Sequence, residues 1–420
     1  MVNKRILLIF GLLVFRQAVA QQRLTLSAAC EMAQKNYPAI KQKELVKQTA
    51  LLTIENLQKI FLPQVAVGGQ ATYQSDVTKV SIPVTGFSIE PLSKDQYKLV
   101  ADVSQLVYDG GLVRQQKAAQ QLNAQVEDQQ VAVELYQLRS RISQLYISIL
   151  YMDEQLKQAE LVKSDLQAGI DKVQALLNNG VAYKSDLDLL HAELLKADQR
   201  SIELQATRKG LLATMSLFLG QPLEETTILE IPSPPSHLDT AVIRPELQLY
   251  RDQSALLQQQ HKLIQAKNRP KASLFVQGGY GRPGLNMLKN EFAFYYLGGL
   301  RLNWSLGGLY TRKKEQELVE VSRKMIEVQK ETFLLNTNSQ LKQQQAEIDK
   351  WRQLVASDDA ILALRSSVKA AAKARLDNGV MTANDYLREV NAEDQARQAK
   401  IAHELQLLQA QINYQTIAGG

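Results

Sequence analysis

The side chains able to do chemistry are few, and none stands in a reactive pattern. The only histidines are His191, His237, His261 and His403, with no pair at metal-ligand spacing. Each reads as a solvated surface or loop residue. Cys30 is the single cysteine, so no intramolecular disulfide can form. A lipid-anchored cysteine would want an apolar residue three positions upstream, where Ser27 stands; Cys30 is instead expected to be a small buried residue of an amphipathic run. Asp186 with Asp188, and Asp358 with Asp359, are the carboxylate pairs that acid–base chemistry would need. In their helical surroundings they read as solvated side chains. Glycine pairs at 68–69, 278–279 and 298–299 lack the following helix of a phosphate-binding loop. The expectation is a non-enzyme with no catalytic residue, no metal site and no cofactor.

If no side chain carries the function, the architecture must. All eleven prolines fall between Pro38 and Pro91 or between Pro222 and Pro283, so 92–221 and 284–420 contain nothing that forces a helix to break. Aromatic residues make up only 6%, thin for one large globular core, and Leu, Ala, Gln, Glu and Lys take their place as in long helices. Residues 1–20 read as a secretory signal: Lys4 and Arg5, then the apolar Ile6–Phe15, then Ala18-Val19-Ala20 as cleavage site. Cleavage would lower the formal charge from +6 to +3, too weak for nucleic-acid binding. The rest has no run apolar enough for a spanning helix, so a membrane role would require β-strands closed into a barrel.

The chain is written twice. Pro38 and Pro63 recur as Pro245 and Pro270, both 207 residues on. Gly110-Gly111 recurs as Gly307-Gly308, and Asn179-Gly180-Val181 as Asn378-Gly379-Val380, the latter at an offset of 199 with an aspartate (Asp186, Asp385) six residues after each glycine. Leu219-Gly220 and Ala418-Gly419 close the copies at the same offset of 199. Ordered landmarks at nearly one spacing define a first repeat over 21–220, an extended linker over 221–244 rich in proline, and a second repeat over 245–420.

Each copy reads helix, strand, loop, strand, long helix, turn, helix. Period-2 alternation predicts strands at 64–74, 97–108, 272–280 and 292–304. Val65, Val67, Ala71 and Tyr73 share one face against Gln64, Gln70, Thr72 and Gln74; Phe292, Phe294, Tyr296, Leu300, Leu302 and Trp304 oppose Tyr295, Arg301 and Asn303. Gly278-Gly279 weakens the third strand. Segments of about ten residues with aromatic ends suit a membrane barrel. Four strands cannot close one, since about eight are the usual minimum, so a barrel would require several copies. Residues 112–177 form one helical pattern, about 100 Å long at 1.5 Å per residue. Leu135, Leu138, Ile142, Leu145, Ile149, Met152 and Leu156 give it a coiled-coil seam. A second long helix is predicted at 309–377, with Ile348, Trp351 and Val355 on one stripe. Asn179-Gly180 and Asn378-Gly379 should cap these helices, and Ser185 and Asn384 should start the next ones, giving hairpin tips near 178–185 and 377–385.

These landmarks resemble the TolC-like outer-membrane efflux proteins over nearly all of the chain after the signal. Leu24-Thr25-Leu26-Ser27-Ala28-Ala29 with Asn36-Tyr37-Pro38 is similar to the family's opening, Tyr108-Asp109-Gly110-Gly111 to its strand-to-helix turn, and the two Gly-Val turns to its hairpin tips. The resemblance implies an α+β fold: a homotrimeric β-barrel in the outer membrane of a Gram-negative cell, continued by a long α-helical coiled-coil barrel into the periplasm. It implies a passive exit duct of a tripartite efflux or type I secretion system, working with an inner-membrane pump and a periplasmic adaptor (membrane fusion protein). Gly180, Val181, Gly379 and Val380 then become adaptor-contact candidates. Asp385 matches an aperture carboxylate and Asp186 a partner in gating. Three like charges converging on an axis would favour cations. Met381 stands where the best-known aperture lock has an arginine, and Arg388 where it has a second acid, so that salt-bridge pattern is not preserved. Asp186 and Asp385 also suit helix N-termini with no gate at all.

The competing reading is a periplasmic structural or adaptor coiled-coil rod. It accounts for long helices without proline but leaves four amphipathic strands unexplained. Cargo is not written in the sequence; drugs, metals and proteins share such ducts.

Overall fold

The structure is a computed structural model that describes residues 23–78, 91–233 and 241–419. The expected signal segment, His237 and the Pro234-Pro235 part of the expected linker lie outside the described residues. In order, the elements are β1 (Arg23–Leu24), α1 (Leu26–Asn36), α2 (Ile40–Gln58), β2 (Gln64–Tyr73), β3 (Asp95–Tyr108), α3 (Leu112–Asn178), α4 (Lys184–Leu219), β4 (Ile228–Leu229), α5 (Pro245–Lys267), β5 (Lys271–Arg282), β6 (Ala293–Asn303), α6 (Gly308–Asp377) and α7 (Ala383–Ala418). The opening helix of the first copy is split. Tyr37 has ψ 128°, the extended backbone that a following proline imposes, so α1 ends there and α2 begins after Pro38.

Contacts divide the chain into two compact units, and neither is one copy of the repeat. Lys41–Val133 and Arg244–Asn336 make the first; Met1–Ile40, Glu134–Ile243 and Thr337–Gly420 make the second. Each copy gives two strands to the first unit and one helical hairpin to the second.

In the first unit the four long strands form one antiparallel sheet in the order β2-β3-β5-β6. The register lines up the apolar positions of all four: Val67 faces Ala101, Leu99 faces Tyr280, and Tyr280 faces Phe294. Gly278-Gly279 does not interrupt β5. A Cβ on Gly279 would lie 2.4 Å from Cζ of Tyr295, so the glycine is the slot that this ring occupies. The sheet is inverted relative to a soluble one. Its apolar side chains are the exposed ones (Val67 71%, Phe294 86%, Tyr296 83%), while the polar positions of β3 and β5, among them Lys98, Asp102, Ser104 and Gln277, are half-buried. Among the described residues, the strands β2 and β6 remain as long open edges. Where β3 leaves the sheet, the buried Asp109 accepts the N–H groups of Gly111 (2.7 Å) and Val113 (2.6 Å), which satisfies the first amides of α3.

Among the described residues, the regular structure of the second unit is helical apart from one small strand pair. Leu138, Ile142 and Ile149 of the expected seam join Tyr146, Leu212 and Met215 in a buried cluster with α1 and α7, and Cys30 is buried in it. Each such aliphatic side chain contributes about 1.5–3 kcal/mol. Burial raises the Cys30 thiol, the effect that outweighs nearby Arg139. The expected linker is partly folded into this unit. β4 pairs in parallel with β1, and the Tyr146 hydroxyl sits 2.6 Å from both the Leu24 and the Glu230 carbonyl oxygens. Arg208 donates to the carbonyls of Glu225 (2.6 Å) and Thr227 (3.0 Å) and pairs with Asp153 at 2.5 Å. Proline spacing showed an extended segment but not that its backbone groups would be captured by an arginine and a tyrosine.

Candidate functional site

The hairpin tips are built by backbone chemistry. At Gly180 (φ 74°) and Gly379 (φ 70°) the chain enters the left-handed region that glycine adopts without strain. Gly180 N–H bonds the Leu177 carbonyl (2.9 Å) and Val181 N–H that of Leu176 (2.9 Å); Gly379 bonds Leu376 and Val380 bonds Arg375, each at 3.0 Å. Both ends are therefore Schellman motifs, which use up otherwise orphaned carbonyls. The next helices start one residue pair earlier than expected. Tyr183 and Thr382 are the N-caps, and Ser185 and Asn384 lie exposed inside the first turns. Asp186 and Asp385 hold the third helical positions, where a carboxylate can reach back. Asp186 accepts the Tyr183 N–H at 3.1 Å. Thr382 Oγ1 accepts the Asp385 N–H at 3.1 Å and donates to its carboxylate at 2.8 Å.

The two tips lie against each other. A Cβ on Gly379 would stand 3.9 Å from Cδ2 of Leu176 and 4.0 Å from Cγ1 of Val181. Between them runs a groove of about 360 Å³, lined by Leu176, Val181, Tyr183, Leu376, Val380 and Met381, with Asp186 at its margin. Val181, Tyr183 and Val380 stay exposed although apolar or aromatic. Of the residues singled out by sequence, Gly379, Val181, Val380, Met381 and Asp186 thus meet at one groove. Gly180 shapes the first turn, Asp385 is engaged in the Thr382 cap, and Arg388 lies a turn further on, exposed and outside the groove.

Behind the tips is a polar cluster that sequence reasoning missed. Lys369 on α6 pairs with Asp165 on α3 at 2.8 Å and with Glu393 on α7 at 3.2 Å; Arg397 also pairs with Glu393, and Ser366 donates to it at 3.1 Å. The Glu393 side chain is only 4% exposed. Burial pushes its carboxyl up, but the hydrogen bonds and charges of Arg397 and Lys369 overcome that and hold it below the ordinary value. Lys369 is likewise held up: burial acts against its charge, and the contacts with Asp165 and Glu393 prevail. Next to this cluster Tyr386 is buried against Gly169, its phenol pushed to about 12 by burial and then by Asp165 and Asp377. The only signal in the sequence was the 393/397 spacing of one helical turn; the 165–369 pair spans 204 residues. His403 and Asp358, read as solvated, instead contact each other at 2.6 Å, and Asp358 is buried. The His403 ring also packs on Trp351, 5.3 Å away.

Residues 29–221 match the family model described as outer membrane efflux protein. That match spans the first copy of the repeat and stops short of the second. No curated protein matches it. Solved structures with the same fold include the outer-membrane channel OprN (15% identity, 94% of this chain and 90% of that one, TM-score 0.67). The CmeC channel of Campylobacter jejuni (13% identity, 94% and 85%, TM-score 0.65) and the MtrE channel of Neisseria gonorrhoeae in its open state (13%, 94% and 89%, TM-score 0.66) are others. The family match ends just after the first copy, whereas the structural matches run through both. The fold of the chain is thus the TolC-like one throughout.

Proposed function

We propose that this protein is the outer-membrane exit duct of a tripartite efflux or secretion system. The observation that carries the reading is the inverted sheet: Val67, Leu99, Val276, Phe294 and Tyr296 point outward and exposed, while the polar face is the more covered one. In water this arrangement costs free energy at every apolar side chain; in lipid it is the stable one. No described helix is long and apolar enough to cross a membrane, so the strands are what would span it.

An open sheet cannot stand in lipid, because the free N–H and C=O groups along β2 and β6 would go unpaired. Closing those edges with further copies, β6 of one to β2 of the next, satisfies them. Three copies give twelve strands, a homotrimer wide enough for a conduit. The helical hairpins would then reach into the periplasm, with the groove at Val181, Val380 and Met381 as the docking place for an adaptor joined to an inner-membrane pump. Asp186, Asp385, Arg388 and Met381 are the aperture candidates on this reading. The capping bonds of both aspartates already give them a structural role, so an aperture role must be additional to it.

The test is fractionation. The protein should be found in the outer-membrane fraction, need detergent for extraction, and run as a trimer on an unheated gel that collapses to monomer on boiling. A detergent-independent monomer in the soluble periplasm would replace the duct with the coiled-coil rod.

A further inference from the structure

The register of the sheet separates its charges as cleanly as its apolar groups. On the polar side stand Lys98, Lys271 and Arg301 against one carboxylate, Asp102. The β2 positions on that side, Gln64, Ala66, Gly68, Gln70 and Thr72, are all uncharged. The other ionised pair of the strands, Asp95 with Arg282, lies at the far end of the apolar side and neutralises itself. Each copy therefore turns two net positive charges toward the polar side.

These cations are held rather than free to fold away. The Arg301 guanidinium lies over the Phe275 ring, 4.5 Å from its centroid, which fixes it on the polar face without cancelling its charge. Lys98 lies along Gly281, where even a Cβ would come within 3.1 Å of its Cγ. Asp102 is occupied by the Gln277 amide at 3.4 Å. It faces Gln277, whereas Arg301 faces Ser273. Four residues along the strand and two strand spacings across place the two charges roughly 16 Å apart. That is about twice the screening length at physiological salt, so Asp102 leaves Arg301 and Lys271 unneutralised.

We infer that the barrel lumen is a cationic passage that favours anionic solutes. This rests on the duct reading, in which the polar side of the sheet lines the interior. A trimer would bring six net positive charges around one low-dielectric wall, and such a wall concentrates counter-ions several-fold. The matching cargo class is organic anions: Phe275, Leu297 and Tyr295 on the same side offer apolar contact between the cations. The aperture candidates Asp186 and Asp385 belong to the other unit and carry the opposite sign, so the two contributions can be separated by mutation.

The experiment is reversal-potential measurement in planar bilayers under a potassium chloride gradient, using the purified full-length protein. Arg301→Gln and Lys98→Gln, at opposite ends of the strands, should each lower the chloride-to-potassium permeability ratio, by roughly threefold. Asp102→Asn should raise it. Variants are compared only where the unheated trimer band is retained, and the two lysine and arginine positions serve as independent chances to obtain one. Ratios that stay unchanged in channels that conduct, or that move the same way for Arg301→Gln and Asp102→Asn, overturn the cationic lumen and leave the duct standing. Wild-type protein that forms trimers but conducts nothing overturns the duct itself.

Discussion

Replacing Val276 by lysine should abolish assembly, while the same change one residue later should not. Val276 sits mid-way along β5, faces Val103 on one side and Gly298 on the other, and is 56% exposed. On a soluble sheet an exposed valine exchanged for lysine changes stability by about 0.5 kcal/mol or less. On the lipid face of a barrel a lysine near the midplane costs about 2–4 kcal/mol. Three copies multiply this to roughly 6–12 kcal/mol per assembly, comparable with the whole stability of an ordinary domain. Gln277 is the adjacent residue on the polar side, and its amide contacts Asp102. Gln277→Lys places the new charge beside that carboxylate, so it should be tolerated. The assay is the yield of heat-labile trimer in the outer-membrane fraction at matched expression. Equal yields for Val276→Lys and Gln277→Lys would refute the assignment of faces.

Further outcomes follow from the second unit. Lys369→Met leaves Asp165 and the buried Glu393 short of a cation, although Arg397 and Ser366 remain; local opening should become easier by about 2–3 kcal/mol, against the 3–5 expected for a fully broken buried pair. Hydrogen exchange of α7 amides around Glu393 would then speed up roughly 30- to 150-fold. Because the Glu393 carboxyl is held below the ordinary glutamate value of about 4.5, its stabilisation is complete above that value and lost as pH falls below it; protection around Glu393 should fall below about pH 4.5 in wild type and much less in Glu393→Gln. Gly180→Ala and Gly379→Ala force alanine to φ near +70° and should each cost about 1–2 kcal/mol, seen as faster proteolysis at the mutated tip. Asp385→Ala removes the Thr382 cap partner and, if Asp385 also faces the aperture, lowers cation preference in bilayer recordings; a changed melting profile with unchanged reversal potential would confine it to capping.

Much of the architecture was legible because it rests on local rules. Period-2 alternation marked all four strands to within three residues at either end, and missing prolines marked the two long helices. The Gly-Val turns were recognisable since only glycine takes the left-handed cap cheaply. The misses share a physical cause. Ser185 and Asn384 are good N-cap types, but the chain leaves the Schellman turn already directed so that Tyr183 and Thr382 flank the helix. Asp358, Glu393 and Lys369 look like solvated charges on polar helices; only packing among α3, α6 and α7 buries the two carboxylates and half-covers the lysine, and no local pattern encodes a partner 204 residues away. Gly278-Gly279 read as a weakness because the Tyr295 ring that fills the space comes from another strand.

The central claim is that several copies close this sheet into a conducting pore, and single-channel recording tests it most directly. Purified trimer added to one side of a planar bilayer should give discrete, uniform conductance steps that vanish when the sample is boiled first. Trimer that binds the bilayer without any step, or steps that survive boiling, would contradict it.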